Sequence, residues 1–505
     1  MRRPHLRLAL ALTAALLAPL AAAAEARPAD APVDLRTAGE PLVLGVADAI
    51  LLCLENNSGL AVQRLGPTLK RTSVAEARSA FDPALSASVG RTDATDQTGD
   101  SVSESQAISI SELLPTGTQL KLGVTRSLAR PGMTSDTDTA GLSLGVTQPF
   151  LRGGGRAVGL AAIRQARLDL AASEHELRGY AQSLVAQVIG AYWDLALATK
   201  QLGIYEESLR LAEEQLRQTE ERIRLGGTAP VEAAAARAEV ASRKEALISA
   251  RGGVSTARLK LLRLVNPPGA PEADWEREVV LRDEPAVPPG GLDDVRDHVA
   301  RALRDRPDLE AARRGLERGE LELVKTRNGL LPRLDVFVTL GRTGYSDSFA
   351  GAFGDLGEGS ALTLGLSFEQ AIGNRAARSR HARARVTQEQ SHLALANLEQ
   401  LVQVDVRTAH LAARVALEQI AATAASRALK EETLRGEEEK FRVGRSTSFQ
   451  VAQAARDYTA SRVAEVAAVV GYLKALAELH RLDGSLLDRV GVRSLDGPQA
   501  SAEGR

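Results

Sequence analysis

The chain has a single cysteine, Cys53, among 505 residues. One thiol closes no intramolecular disulfide and builds no cysteine-based zinc site. Aromatic residues make up only 3%, with two tryptophans, and there are two methionines. That is thin for a large aromatic-anchored core and leans toward a long, alanine-rich helical protein. Neither sign of charge dominates: 63 basic residues face 64 acidic ones, a formal charge of −1. Such a balance offers no basic footprint for nucleic acid and no acidic solvating arm. Past the N-terminal segment, no uncharged apolar run reaches the ~18 residues of a spanning helix. The best candidate, Leu184 to Thr199, is interrupted by Gln187 and Asp194.

Catalytic patterns are also missing. GLSLG from Gly141 fits G-x-S-x-G, but Ser143 lies in an alternating run rather than at a sharp strand-to-helix turn. Gly153-Gly154-Gly155 is followed by Arg156, without the Lys-Ser/Thr pair of a phosphate loop. His175, His298, His381, His392, His410 and His480 contain no i,i+4 pair and no HExxH, so no metal site is expected. The sequence reads as neither an enzyme nor the holder of a cofactor.

Residues 1–24 have the form of a secretory signal. Arg2, Arg3 and Arg7 precede the apolar stretch Leu8 to Leu17, and Ala22-Ala23-Ala24 supplies the cleavage pattern. An exported chain without a spanning helix either stays soluble outside the inner membrane or crosses a membrane as β-strands.

The remainder is written twice. LENNSGL from Leu54 pairs with LRDRPDL from Leu303, and FDPALSAS from Phe81 with LLPRLDVF from Leu330, both at an offset of 249. SLGVTQPF from Ser143 pairs with TLGLSFEQ from Thr363 at 220, and RIRLGG from Arg222 with KFRVGR from Lys440 at 218. Each half runs helix, strands, long helix, tight turn, helix. The fall in offset places about 29 extra residues in the first half, between its first helix and its long helix. A proline-rich linker, 266–291, joins the repeats 25–265 and 292–484, and 485–505 reads as a flexible tail.

Val158 to Leu225 and Ala376 to Val443 contain no proline. As helices they would each be about 100 Å long, beyond the ~30–40 Å width of a compact domain, so they must stand side by side as a rod or tube. Ile163, Leu170, Leu177 and Leu184 are spaced by seven, as are Leu195, Leu202, Leu209, Leu216 and Ile223. The step of eleven between the blocks is a heptad plus a four-residue stutter, which locally unwinds a left-handed supercoil. Gly226-Gly227 and Gly444 end the long helices, as the left-handed cap conformation requires. Returning helices are expected over Val231–Leu264 and Phe449–Leu482.

Period-two segments lie between the helices. Candidate strands fall near Ala84–Val89, Ala107–Ser111, Gln119–Arg126 and Gly141–Gln148, then at Leu334–Leu340 and Leu362–Phe368. Apolar residues alternate with small or polar ones, which fits a half-buried strand or a membrane barrel strand. Asp93–Glu104 and the glycine-rich Gly341–Gly359 read as connecting loops.

Taken together, the LENN-containing first helix, the FDPALSAS and LLPRLDVF turns, TQPFLRGGG from Thr147, the glycine tips and the duplicated order resemble the TolC-type outer-membrane efflux and export channel family. The resemblance covers nearly the whole chain after residue 24. It implies an α+β, mostly α fold: long antiparallel helical hairpins forming an α-barrel tunnel, and amphipathic strands forming a transmembrane β-barrel shared within a homotrimer. It further implies passive export across the outer membrane lipid, in a tripartite efflux or type I secretion system. A periplasmic adaptor (membrane fusion protein) and an inner-membrane transporter would be the partners. The family usually places two strands in each half, whereas this first half shows four. The extra hairpin would either extend the barrel wall or fold outside it. The fourth strand-to-helix turn, QAIGNR from Gln370, lacks the proline found at Pro83, Pro149 and Pro332.

By the same resemblance, Leu225, Gly226, Gly227 and Thr228 and Val443, Gly444, Arg445 and Ser446 would meet the adaptor and ring the periplasmic aperture. Of the family's gate positions, Glu232 matches the acidic one after the first tip, and Gln450 and Gln453 are neutral where the family carries acids. Ser446 holds the arginine's place with Arg445 beside it; a Glu232–Arg445 contact is the gate pair this pattern would allow. A soluble periplasmic coiled-coil adaptor or a structural coiled-coil protein is the alternative. The first normally has one hairpin rather than two in tandem, and the second leaves the alternating strands unexplained.

Overall fold

The computed structural model describes residues 41–96, 99–131, 137–226, 229–265 and 275–492. The signal segment, the first part of the linker, and Gly227 and Thr228 of the first tip lie outside them. The order is β1 (Leu42–Leu44), α1 (Val46–Asn56), α2 (Ser58–Ser79), β2 (Ala84–Asp96), β3 (Gly99–Leu113), β4 (Gln119–Pro131) and β5 (Thr137–Pro149). Then follow α3 (Arg156–Gly159), α4 (Ala161–Arg224), α5 (Val231–Val265) and β6 (Val279–Leu281). The second half holds α6 (Val295–Asp305), α7 (Pro307–Asn328), β7 (Arg333–Ser346), α8 (Phe349–Gly354), β8 (Gly359–Glu369), α9 (Arg375–Arg442), α10 (Ser448–Leu482) and α11 (Leu486–Arg489).

The duplication is visible in the elements. α1 and α6 both have 11 residues, α2 and α7 both 22, and α5 and α10 both 35. Position for position, β2 corresponds to β7 and β5 to β8. The additional hairpin of the first half is therefore β3–β4, turning at Leu114–Thr118 on the helical side, where the Leu114 N–H donates to the Thr118 carbonyl at 2.8 Å.

All six long strands form one antiparallel sheet in the order β2-β3-β4-β5-β7-β8. The strands exceed their sequence-based limits. Asp93 pairs with Val102 and Arg91 with Glu104, so much of the expected polar loop is strand. Gly341–Ser346 likewise belongs to β7, and Phe349–Gly354 is a helix. Backbone pairing along a continuous antiparallel ladder overrides the weak strand preference of Asp, Ser and Gly.

α4, with 64 residues, and α9, with 68, are each about 100 Å long at 1.5 Å per residue. α5 and α10 run back along them as antiparallel partners. On α4 the heptad residues Ile163, Leu184 and Leu195 are buried; nearer the tip the buried positions are the small Ala212 and Thr219, again seven apart. Small residues there let helices approach closely. Where the last strand-to-helix turn lacks proline, Gly373 at φ 81° and Asn374 at φ 42° reverse the chain in the left-handed region.

Most of the molecule is a single layer, and its main core forms where a second layer exists. Around the middle of α4, Val185, Val188, Tyr192 and Leu195 pack with Ile50, Cys53 and Leu54 of α1, Leu261 and Val265 of α5, and Leu486 and Leu487 of α11. Each such side chain contributes on the order of 1.5–3 kcal/mol on burial. The short parallel pair β1–β6 closes this region. The Tyr192 hydroxyl donates to the Leu44 carbonyl at 3.1 Å and accepts from the Asp283 N–H at 3.1 Å, tying the linker's exit to the long helix. Leu486 and Leu487, inside the segment expected to be a tail from residue 485, are 2% exposed and belong to this core.

Candidate functional site

The two ends of the long helices differ in chemistry. At the strand end, successive register partners form one cross-sheet row: Leu85, Ile110, Leu122, Leu144, Leu340 and Leu362. All six are among the exposed large hydrophobic residues. The next row, pointing to the other face, is Ser86, Ser109, Gly123, Ser143, Gly341 and Ala361. A sheet with one exposed aliphatic face and one small, polar face matches hydrocarbon on one side and water on the other. A single sheet with both faces uncovered has no stable place in water alone. Ser143 of GLSLG is in mid-strand, its hydroxyl directed at the Gly123 carbonyl.

Beyond the aliphatic rows, on the same face, Arg126 pairs with Asp138 at 2.6 Å, and the Asp138 side chain is almost wholly buried. Phe349 of α8 lies 5.3 Å from the Arg126 guanidinium carbon, so the short helix caps this ion pair at the far end of the sheet. No helix among the described residues is long and apolar enough to cross a membrane.

At the opposite end, the tips are closed by backbone geometry. Gly226 and Gly444 both adopt φ 76°. At the second tip the Arg445 N–H donates to the Lys440 carbonyl at 2.8 Å and the Gly444 N–H to Phe441 at 3.1 Å, the paired bonds of a Schellman cap. Thr447 then caps α10, exchanging hydrogen bonds with Gln450. Gln450 also accepts from the Ser446 hydroxyl, at 3.0 Å, so it is a capping residue within the chain. The Ser446 hydroxyl reaches Glu437 at 2.7 Å as well. Lys440 first, then Ser446, hold the Glu437 carboxyl below its ordinary range.

Both tips present apolar side chains outward: Leu225 is 75% exposed, Val231 72%, Val443 68% and Phe449 63%. Glu232, in the first turn of α5, is favoured there by the positive end of the helix dipole. Its carboxylate accepts from the Ser448 hydroxyl of α10. The Glu232–Arg445 contact is not made within the chain: Arg445 is exposed and has no ion pair among the described residues. Gln453 bridges Asp457, at 3.1 Å, and Arg456, at 2.9 Å. Lys430 of α9 pulls the Asp457 carboxyl downward in pKa through a hydrogen bond.

Sequence reasoning missed the group that joins the two hairpins near these tips. Glu239 of α5 receives Arg243 at 2.7 Å and Arg456 of α10 at 2.8 Å, and the Arg243 and Glu239 side chains are only 9% and 10% exposed. Farther along, Glu207 meets Arg462 at 2.6 Å and Asp194 meets Lys474 at 2.7 Å, both linking α4 to α10. A groove of about 300 Å³ lies between the hairpins here, lined by Ala212, Ala236, Glu239, Phe449 and Arg456 among others. Apart from the i,i+4 pair Glu239–Arg243, these contacts carry no local motif: each joins residues more than two hundred positions apart.

The histidines do not assemble a metal site among the described residues. His298 is buried and contacts Asp483 at 2.6 Å, which Arg301 reaches at 3.2 Å.

A family model described as "Outer membrane efflux protein" matches residues 49–266 and 299–485. No curated protein matches the chain. Among solved structures it is similar to VceC from Vibrio cholerae, with 16% identity, 87% of this chain and 96% of that one covered, and a TM-score of 0.66. It is also similar to the CmeC outer membrane channel of Campylobacter jejuni, with 15% identity, 93% and 94% covered, and a TM-score of 0.65. The open-state MtrE channel of Neisseria gonorrhoeae gives 19%, 87% and 89%, and 0.61. At these identities the structures speak for the fold. The family model spans most of the chain: the protein belongs to the outer membrane efflux protein family. It is a TolC-type channel protein, with strands in the outer membrane and helices reaching into the periplasm as a tunnel.

Proposed function

We propose that three copies of the chain close into one conduit and that it works passively, coupled to an inner-membrane transporter through a periplasmic adaptor. One observation carries the reading. Apolar tips at Leu225 and Val443 stand at the end of helices about 100 Å long, opposite an aliphatic sheet face. Exposed apolar residues on a capped, rigid turn suit docking of a partner's helical hairpin better than they suit water. Glu232, Arg445, Gln450 and Gln453 then border the aperture, where contacts between neighbouring copies would set its width. Gly227 and Thr228 complete the first tip in this reading.

The test is complementation together with crosslinking. The gene is expressed in a Gram-negative host lacking its own channel, with its cognate adaptor and transporter. Photoreactive residues replace Leu225 and Val443. Restored resistance or secretion with adaptor–tip adducts is the expected result. Restored transport without any tip adduct would overturn the docking assignment. A protein found only in the soluble periplasm would overturn the conduit itself.

A further inference from the structure

The six-stranded sheet is open. Among the described residues β2 and β8 each have one neighbour, leaving free edges of 13 and 11 residues respectively. Hydrocarbon tolerates no unpaired backbone edge, because each unsatisfied N–H or C=O costs several kcal/mol there. The inserted hairpin β3–β4 is not an appendage. It lies inside the ladder between β2 and β5, pairs along nearly its full length on both sides, and continues both faces through Ile110 and Leu122 outside and Ser109 and Gly123 inside.

We infer that the free edge of β2 pairs antiparallel with the β8 edge of a second copy, and that the wall closed by three copies therefore has eighteen strands. The inference rests on the trimeric conduit proposed above. Four observations support it. The strand count per copy is even and the directions alternate, so β8, entering α9, meets a β2, leaving α2, in the antiparallel sense without any break in the pattern. The two edges are close in length. The exposed aliphatic residues are at their barest on these two strands: Leu85 at 71% and Val89 at 81%, against Leu362, Leu364, Leu366 and Phe368 at 67–72%.

The fourth observation is the slant of the aliphatic belt. Along the hydrogen-bonding register, Ala87 leads through Ile108, Val124 and Leu142 to Arg342 and Ser360. The belt on β8 is instead centred on Leu364 and Leu366. It thus shifts by about five residues across one copy, the stagger that tilted strands need to close a barrel. Matching belts at the junction sets the register. Leu85, Ala87 and Val89 of one copy stand opposite Leu366, Leu364 and Leu362 of the next, and on the inner face Ser88 stands opposite Thr363.

Barrel diameter grows roughly in proportion to strand number, so eighteen strands give a mouth about 1.5-fold wider than twelve. Its lining is Ser, Thr, Gly and Ala on most strands, so few side chains narrow it. The outer end of the conduit is then an open mouth, and the restriction lies at the tips.

The experiment uses the full chain extracted from the outer membrane, with cysteines added in pairs and a short bismaleimide as crosslinker; Cys53 is buried and serves as the internal blank. Native mass spectrometry first reports the particle. If it is not a trimer, the conduit reading itself fails. In a trimer, Ser88→Cys with Thr363→Cys is expected to yield covalent dimers and trimers on a denaturing gel, and neither single variant does. The pair Ser88→Cys with Gly145→Cys is expected to give no link, because β3 and β4 separate them. A trimer in which Ser88 and Gly145 crosslink within one chain has β2 beside β5 and the hairpin outside the wall, which overturns the eighteen-strand barrel and leaves the trimer standing. A trimer in which Ser88 and Thr363 do not link overturns the proposed junction.

Discussion

Arg456 on α10 reaches Glu239 on α5 at 2.8 Å, while Arg243 holds the other oxygen of the same carboxylate at 2.7 Å. This group connects the end of one hairpin to the end of the other. Breaking a buried pair by removing one partner costs about 3–5 kcal/mol, because the remaining charge is left desolvated. Glu239→Gln strands Arg243 in that position. Hydrogen exchange over 231–243 and 448–456 should then accelerate by on the order of 100-fold. Arg456→Gln, at a half-exposed position, should change it far less. Equal effects from the two variants would show that Arg243 is not the charge at stake.

Gly444 sits at φ 76°, where a β-branched residue is strained. Gly444→Val should destabilise the second tip by about 1–2 kcal/mol, and Gly444→Asn by clearly less, since Asn tolerates the left-handed region. Limited proteolysis between Val443 and Ser448 reads the difference. Indistinguishable cleavage of the two variants would mean the tip is held by other contacts.

Burial first, and then the positive charge of Arg489, push the His480 imidazole down from its ordinary 6.5 to about 4. The folded chain therefore binds fewer protons than the unfolded chain between these values. Its stability is complete above pH 6.5 and declines as pH falls toward 4. Asp483 works in the same direction at still lower pH: against its burial, hydrogen bonds from His298 and Ser485 hold its carboxyl below its ordinary value. Thermal unfolding followed by circular dichroism should show the midpoint falling between pH 6.5 and 4, with a shallower fall in His480→Asn. An unchanged slope in that variant would assign the acid sensitivity elsewhere.

Leu364 and Thr363 are neighbours on opposite faces of β8. An arginine facing hydrocarbon near mid-depth of a barrel strand costs about 2–4 kcal/mol, whereas one facing the lumen is solvated. Leu364→Arg should sharply reduce the amount of protein recovered in the outer membrane. Thr363→Arg should leave it near the wild-type level. The reverse ranking would exchange the two faces of the sheet.

Much of the architecture was legible in the residues because it rests on local repetition. Heptads from Ile163 to Ile223, the glycines at 226 and 444, and alternation in Leu362–Phe368 each report a backbone period or a left-handed turn that needs no distant partner. Limits were poorer where propensity ran against pairing: Asp93–Asp96 became strand only because Gly99–Val102 lay opposite. Of the tip residues, the capping role of Gly444 followed from local chemistry, whereas the cap at Thr447 emerged only with the structure. The engagement of Glu232 by Ser448 did not, since it depends on how the two hairpins lie together.

Periodicity and duplication alone thus account for two long helical hairpins, amphipathic strands between them, and a repeated order that resembles one channel family. Which side of the sheet each strand joins, and in what order, is a different kind of question. A hairpin of alternating Ser and Ile satisfies the same pattern inside a wall or beside it. Only the ladder that pairs β3 with β2 and β4 with β5 settles it within the chain, because hydrogen bonds between strands join residues that no sequence period relates. The Glu239 cluster was decided in the same way, by helices that meet in space though their residues lie far apart in the chain.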